Sequence, residues 1–340
     1  MIRPLFSLRL RAVRKLAVVV LVAALALGYL GYTWLNDPLQ MASDSVDLSV
    51  EPGSSPREVA LQVQQAGVSV NPTLLYWLFR LSGEARQIKA GSYELERGTN
   101  PRNILSKLVR GEEALRSVTL VEGWNLRQVR AALARAEQLK PDSQGMDEAA
   151  LMQALGRAGT SAEGRFYPDT YNYAKGSSDL AVLKRAMKAM DKQLGKVWQI
   201  RSPLTAVKSP EEALILASIV EKETGKASDR PQISGVFNNR LRIGMLMQTD
   251  PTVIYGLGAS FDGNLRRRDL RTDSPYNTYT RAGLPPTPIA MPGKASLLAA
   301  VQPADTRAVY FVAKGDGSSH FSATLDEHNR AVNRFQRGQK

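Results

Sequence analysis

The acid best placed to do chemistry lies in Ser209 to Gly225, SPEEALILASIVEKETG. Ser209 with Glu212 three residues on has the pattern of a capping box, and Pro210 suits the first helical position. From Ala213 to Val220 the run is apolar except for Ser218, so the helix should be buried nearly all round. Glu221 follows directly in the last turn, and Gly225 is the expected stop. A carboxyl there meets desolvation by its neighbours and the negative end of the helix dipole, and both favour its neutral form. A carboxyl that keeps its proton near neutral pH can serve as a general acid. Glu223 sits about 200° further round the helix and should face elsewhere, so the two form no dyad. The segment alone favours Glu221 as an exposed last-turn residue paired with a lysine such as Lys222 or Lys226.

Three further stretches bear on that choice: VFNNRL (236–241), LMQTDPTVIYGL (246–257) and SPYNTYTRAGLPPTPIAMPG (274–293). They are expected to be long, proline-pinned loops, and loops of that length in a compact domain are usually functional or disordered. Their aromatics and prolines argue against disorder. Their Asn, Gln, Tyr and Asp side chains suit sugar hydroxyls and acetamides, while aromatic rings pack on pyranose faces.

Other chemistries are excluded by composition. The 340 residues contain no cysteine and only two histidines, His320 and His328, which removes thiolate sites and leaves too few imidazoles for a multi-histidine metal centre. No G-x-S-x-G elbow for a serine hydrolase occurs. His320 is expected to anchor its loop or, if near a sugar site, to touch substrate.

The elements that must position these residues begin with Leu16–Leu35, an uncharged run of 20 that as a helix spans about 30 Å of hydrocarbon. Arg3, Arg9, Arg11, Arg14 and Lys15 precede it with no acid, so the positive-inside bias predicts a cytoplasmic tail (1–15), a transmembrane helix (16–36) and an exported remainder. The run exceeds a signal-peptide h-region. Of the net charge of +13, residues 37–340 keep +8. Outside the cytoplasm that charge would meet acidic lipid or wall polymer rather than nucleic acid, or would simply aid solubility. A linker (37–45) leads to a strand at Val46–Val50, a helix capped by Ser55 and Glu58, a second opening at Asn71-Pro72, a returning strand Gly91–Leu95 and a third helix from Asn100-Pro101. This strand–helix–helix–strand order resembles the LysM module, a small fold that binds N-acetylglucosamine polymers, and a LysM-like subdomain is placed at 46–112. Gly53–Val59 is echoed at an offset of 70 by Gly123–Val129, each a glycine turn followed by a capped helix. A larger α+β domain should occupy 113–340.

ASIVEKETG, VFNNRL, MQTDPTVIYGL, SPYNTYTRAGLPPTPIAMPG and EGRFYPDTYNY (163–173) together closely resemble the YceG-like, MltG-type endolytic murein transglycosylases of bacteria, over about residues 10–337. One departure is Met247, where leucine is commoner, a volume-conserving exchange of small cost. The aromatic positions of EGRFYPDTY also differ. The resemblance implies an α+β fold with a single anchor, and Glu221 as the catalytic acid. It implies substrate-binding roles for Glu163, Gln248, Asp250, Tyr276, Asn277 and Thr278, which lie in matched motifs. It further implies cleavage of the β-1,4 bond between N-acetylmuramic acid and N-acetylglucosamine within peptidoglycan strands, leaving 1,6-anhydro ends, with no cofactor and no metal. The implied setting is the periplasmic face of the inner membrane, near peptidoglycan synthases. The competing expectation is a non-catalytic, membrane-anchored peptidoglycan-binding scaffold.

Overall fold

The computed structural model describes residues 4–338, with side chains from Arg14 onward. Of the basic residues before the apolar run, Arg3 and the side chains of Arg9 and Arg11 lie outside the described residues. The described chain divides into two compact units, residues up to Arg116 with Ala174–Gly176, and Ser117–Tyr173 with Ser177 onward.

The first unit opens with α1 (Pro4–Asn36), whose Arg14–Asn36 portion is long and apolar enough to cross a membrane, with Trp34 near its end packed on the core of the unit. After it come β1 (Ser45–Val50), α2 (Pro56–Gln65), α3 (Pro72–Leu81), β2 (Gly91–Glu96) and α4 (Pro101–Arg110). β1 and β2 pair antiparallel with Leu48 opposite Tyr93. In β1 Val46, Leu48 and Val50 alternate inward, as the period-2 geometry of a half-buried strand requires. They pack with Val59 and Val63 of α2, Leu75 and Phe79 of α3, and Ile104 and Leu108 of α4. Ser55 and Glu58 form the expected reciprocal cap on α2, and Asn71 caps α3 through its side chain.

The second unit contains most of β3 (Leu115–Thr119), α5 (Leu126–Arg135), α6 (Glu148–Ala154), most of β4 (Thr170–Ala174), α7 (Asp179–Gln199), α8 (Pro210–Glu223), α9 (Arg230–Arg242), α10 (Asp250–Leu257), α11 (Arg267–Arg271), α12 (Lys294–Val301), β5 (Tyr310–Ala313), β6 (Ser319–Ser322) and α13 (Leu325–Phe335). Its strands form two small ribbons, β3 with β4 and β5 with β6, so helices carry the core. Every residue of α8 from Ala213 to Val220 is buried, where α7, α9, α10 and α12 pack around it. Each Leu or Ile in that run contributes about 1.5–3 kcal/mol by leaving water. Ser218, the one polar residue in it, donates to the Ile215 carbonyl (2.7 Å) and accepts the Ile289 amide (3.0 Å). It thereby stitches the 274–293 loop to the helix.

Two segments expected as loops are helical. VFNNRL lies inside α9, with Pro231 near its start and Asn238 buried against Ser234. From Asp250 onward LMQTDPTVIYGL is α10, opened by Asp250 and Pro251. Their asparagine and proline are helix-compatible because one is satisfied internally and the other sits where no amide donor is required. The 274–293 stretch contains no helix or strand. α8 ends at Glu223 with Thr224 extended, two residues before the glycine expected to stop it.

Candidate active site

Glu221 sits in the last turn of α8 with its side chain only 6% exposed. Its Oε2 accepts the Gly293 amide at 2.9 Å, and Arg230 at the start of α9 brings a guanidinium nitrogen 3.7 Å from Oε1. The sequence argument counted burial and the helix dipole; the structure adds a backbone donor and a cation. Lys222 does not pair with Glu221 but turns to the Gly123 carbonyl at 3.3 Å.

The loop following β3 closes over this helix end. Gly123 adopts φ +77°, a region that costs other residues strain. Its amide donates to the Met291 carbonyl (2.9 Å), and the Met291 amide returns to the Trp124 carbonyl (2.7 Å). Gly293 follows two residues later, and a β-carbon there would lie 1.8 Å from Oε1 of Glu122. Glu122 is therefore packed against the same glycine whose amide holds Glu221. The sequence offered no second carboxyl at this site; tertiary folding supplies Glu122 from a segment almost a hundred residues away. The echo carried a trace of it, because Glu122-Gly123 stands where the first copy has Pro52-Gly53.

Beside this centre lies a cleft of about 670 Å³ lined by Gly123, Leu126, Glu163, Lys222, Tyr255 and Tyr276 among others. Glu163 is 3% exposed. Both its oxygens accept the Leu126 amide at the start of α5 (3.1 Å), and Oε2 also accepts the Tyr255 hydroxyl (3.1 Å). Burial outweighs these donors and pushes its pKa up to about 7. Tyr276 meets Tyr255 edge to face at 4.8 Å, and its hydroxyl lies 2.8 Å from that of Thr287. Arg165, beside Glu163 in sequence, pairs with Glu211 in the first turn of α8 at 2.5 Å. The EGRF segment is thus tied to the helix that carries Glu221.

The other sequence candidates fall elsewhere. Asn277 and Thr278 are buried and spend their polar atoms inside the fold. Asn277 donates to the carbonyls of Asp269, Leu270 and Thr272. Thr278 accepts the Thr249 amide and meets Thr252. Gln248 is exposed at φ +47° between buried Met247 and Thr249, a left-handed turn that sends both neighbours inward at some strain. Asp250 accepts the Tyr279 hydroxyl at 2.5 Å. Glu223 faces that group rather than Glu221: it accepts the Thr249 hydroxyl, and burial pushes its pKa to about 7. Glu163 and Tyr276 therefore share the cleft beside Glu221, Asn277 and Thr278 brace the loop, and Gln248 and Asp250 lie with Glu223. Glu122, Arg230 and Tyr255 were not legible as site residues.

Comparison with known proteins gives the class. The YceG-like family profile matches residues 48–334, and the chain belongs to that family. It is 32% identical over 319 residues to a Bacillus subtilis protein named endolytic murein transglycosylase, covering 88% of each chain. A Streptococcus pneumoniae protein of the same name is 27% identical over 343 residues, 90% of this chain and 62% of that one. The solved structure of a YceG-like protein from Listeria monocytogenes superposes with a TM-score of 0.53 at 30% identity, covering 84% of this chain and 98% of that one.

Proposed function

We propose that this protein is an endolytic murein transglycosylase, a lyase acting on peptidoglycan, in which Glu221 is both acid and base. The observation that carries the residue assignment is the Glu221 carboxyl, nearly buried and held by the Gly293 amide beside an open cleft. Glu221 first gives its proton to the glycosidic oxygen leaving the muramic anomeric carbon. Its carboxylate then takes the proton of the muramic C6 hydroxyl as that oxygen bonds to the anomeric carbon. The 1,6-anhydro ring closes and the carboxyl regains its proton, so no water is consumed. The attack is intramolecular and gains from proximity. Glycosidases that hydrolyse place two carboxylates across the bond and put a solvent oxygen on the product.

The test is the product. Glycan strands digested in ¹⁸O-water by the full chain in detergent should yield muramic ends that are lighter by one water, unlabelled and resistant to borohydride. Labelled, reducible ends as the main product would reject the transglycosylase chemistry.

We further propose that α1 anchors the protein in the inner membrane with the catalytic unit in the periplasm, within reach of the synthases that extend nascent strands. The strand–helix–helix–strand unit of β1, α2, α3 and β2 is read as LysM-like and as positioning glycan. Protease added to spheroplasts should digest the large domain, while high salt and alkali leave the protein with the membrane. Full-length protein in the soluble fraction would overturn the anchor.

A further inference from the structure

Two cations line the cleft without an acid of the fold to pair them. Arg127 comes from the first turn of α5 and Lys222 from the last turn of α8, and both are exposed. Among the described residues neither forms an ion pair. A cation in the first turn of a helix stands at the unfavourable end of its dipole, so Arg127 does not serve the stability of α5. Its backbone is nonetheless fixed on both sides. Glu163 holds the Leu126 amide, and Asn125 accepts the Gln128 amide at 3.0 Å. Lys222 gives one donor to the Gly123 carbonyl at 3.3 Å, and an ammonium has three.

The acids of the lining are committed elsewhere. Glu148 accepts the Ser161 hydroxyl (2.7 Å) and the Ala162 amide (2.6 Å), and Glu163 is held by Leu126 and Tyr255. Close by, Glu122 packs on Gly293 and Glu221 accepts the amide of that residue. The two cations are therefore left for an anion from outside, and their position says which. A β-carbon on Gly123 would meet Lys222 Cδ at 3.8 Å and Glu221 Cγ at 3.9 Å, so the lysine and the acid flank the same glycine. With Glu221 at the glycosidic oxygen, the substituents of the muramic ring fall within reach of that lysine. Its lactyl ether stands on C3, two ring atoms from the anomeric carbon, and ends in a carboxyl group. That group is free in bare strands and extended by an acidic peptide in others, whereas N-acetylglucosamine carries no acid.

We propose that Arg127 and Lys222 form a carboxylate subsite of the cleft, which reads the acidic substituent of the muramic sugar and so sets which of the two alternating sugars presents its anomeric carbon to Glu221. The ligand is a carboxylate, either of the lactyl group itself or of the peptide attached to it. The proposal rests on the transglycosylase reading. That reading fails if no anhydro ends are released from any strand, whereas this one fails on the KM values of an enzyme that releases them.

The test is the initial rate of anhydro-end release by the full chain in detergent, on glycan strands with free carboxylates and on the same strands amidated with carbodiimide and ammonia. Peptide-free and peptide-bearing strands form two arms. Wild type should show a KM about tenfold higher on amidated strands, the scale of one lost hydrogen bond between charged groups. Its kcat should be nearly unchanged, because a contact held equally in ground and transition states appears in KM. Arg127→Gln/Lys222→Gln should raise the KM for free strands to the amidated value and erase the difference, at a wild-type melting temperature. Arg127→Lys/Lys222→Arg should restore it. Discrimination in the peptide-free arm assigns the lactyl carboxylate, and discrimination confined to the peptide-bearing arm assigns a peptide carboxylate. A wild-type KM indifferent to amidation in both arms, or discrimination that survives in the double Gln variant, would overturn the proposal.

Discussion

Glu221→Gln should abolish turnover, with kcat on glycan strands falling by roughly 10³-fold or more. One side chain is asked to donate a proton in the first step and to accept one in the second, and acid–base assistance contributes ~10²–10⁴-fold to a step. The amide preserves shape and can still accept the Gly293 N–H, but it can neither give nor take a proton. Stability should change little, by about 1 kcal/mol in either direction. The hydrogen bond to Gly293 survives. Product release by chromatography and thermal melting of the same preparation separate the two effects. Glu223→Gln is the control: its carboxyl bonds Thr249 on another face of α8, so turnover should stay near wild type. Sustained release of anhydro products by Glu221→Gln would falsify the assignment.

Raising the pH from 5 to 8 should melt the wild-type protein at a markedly lower temperature, because two buried carboxyls must ionise where burial outweighs their hydrogen bonds. Glu163 and Glu223 titrate near 4.5 in an unfolded chain and near 7 in the fold, burial being the first cause for both. Between those values the folded state binds more protons than the unfolded state. The stabilisation is therefore fully present below about pH 4.5 and is lost as pH rises through about 7. Each shift corresponds to on the order of 2–3 kcal/mol, and the pair to a fall of roughly 10 °C or more. Carboxyls held low, such as Asp273 beside Arg281 at about 2, act in a more acidic window and leave this one untouched. In Glu163→Gln/Glu223→Gln the new amide oxygens can still accept from Leu126 and Thr249, so the melting temperature should become nearly flat over the same range. A wild-type melting temperature independent of pH, or an unchanged slope in the double variant, would show that these carboxyls do not carry the dependence.

Much of the local architecture follows from short-range physics and was legible in the chain. The caps at Ser55, Asn71 and Ser209 form through side-chain bonds to amides two or three residues on, an interaction set by types and spacing alone. The all-round burial of α8 follows from its unbroken apolar run, and the opposite orientations of Glu221 and Glu223 follow from 100° per residue. Segments whose polar residues find distant partners were read less well. VFNNRL looks like a loop until Asn238 is seen accepting the Ala206 amide and Asn239 donating to the Thr306 and Ala308 carbonyls. Asn277 and Thr278 look like sugar ligands until the backbone they brace is in view.

By itself, then, the sequence determined the membrane-length apolar helix, the helix that carries Glu221, and the motifs that mark the family. Those depend on hydrophobic period, capping chemistry and residue order, which are properties of neighbours along the chain. Only the tertiary structure decided what surrounds the acid: Gly293 bringing its amide, Arg230 its charge, and Glu122 a second carboxyl from beyond β3. These groups come from three separate segments. Their meeting depends on how the 274–293 loop is stitched to Ser218 and on how Gly123 pairs with Met291. Coulombic and desolvation effects act over ångströms in space without regard to sequence separation, so the electrostatics of the site became readable only once the chain was folded.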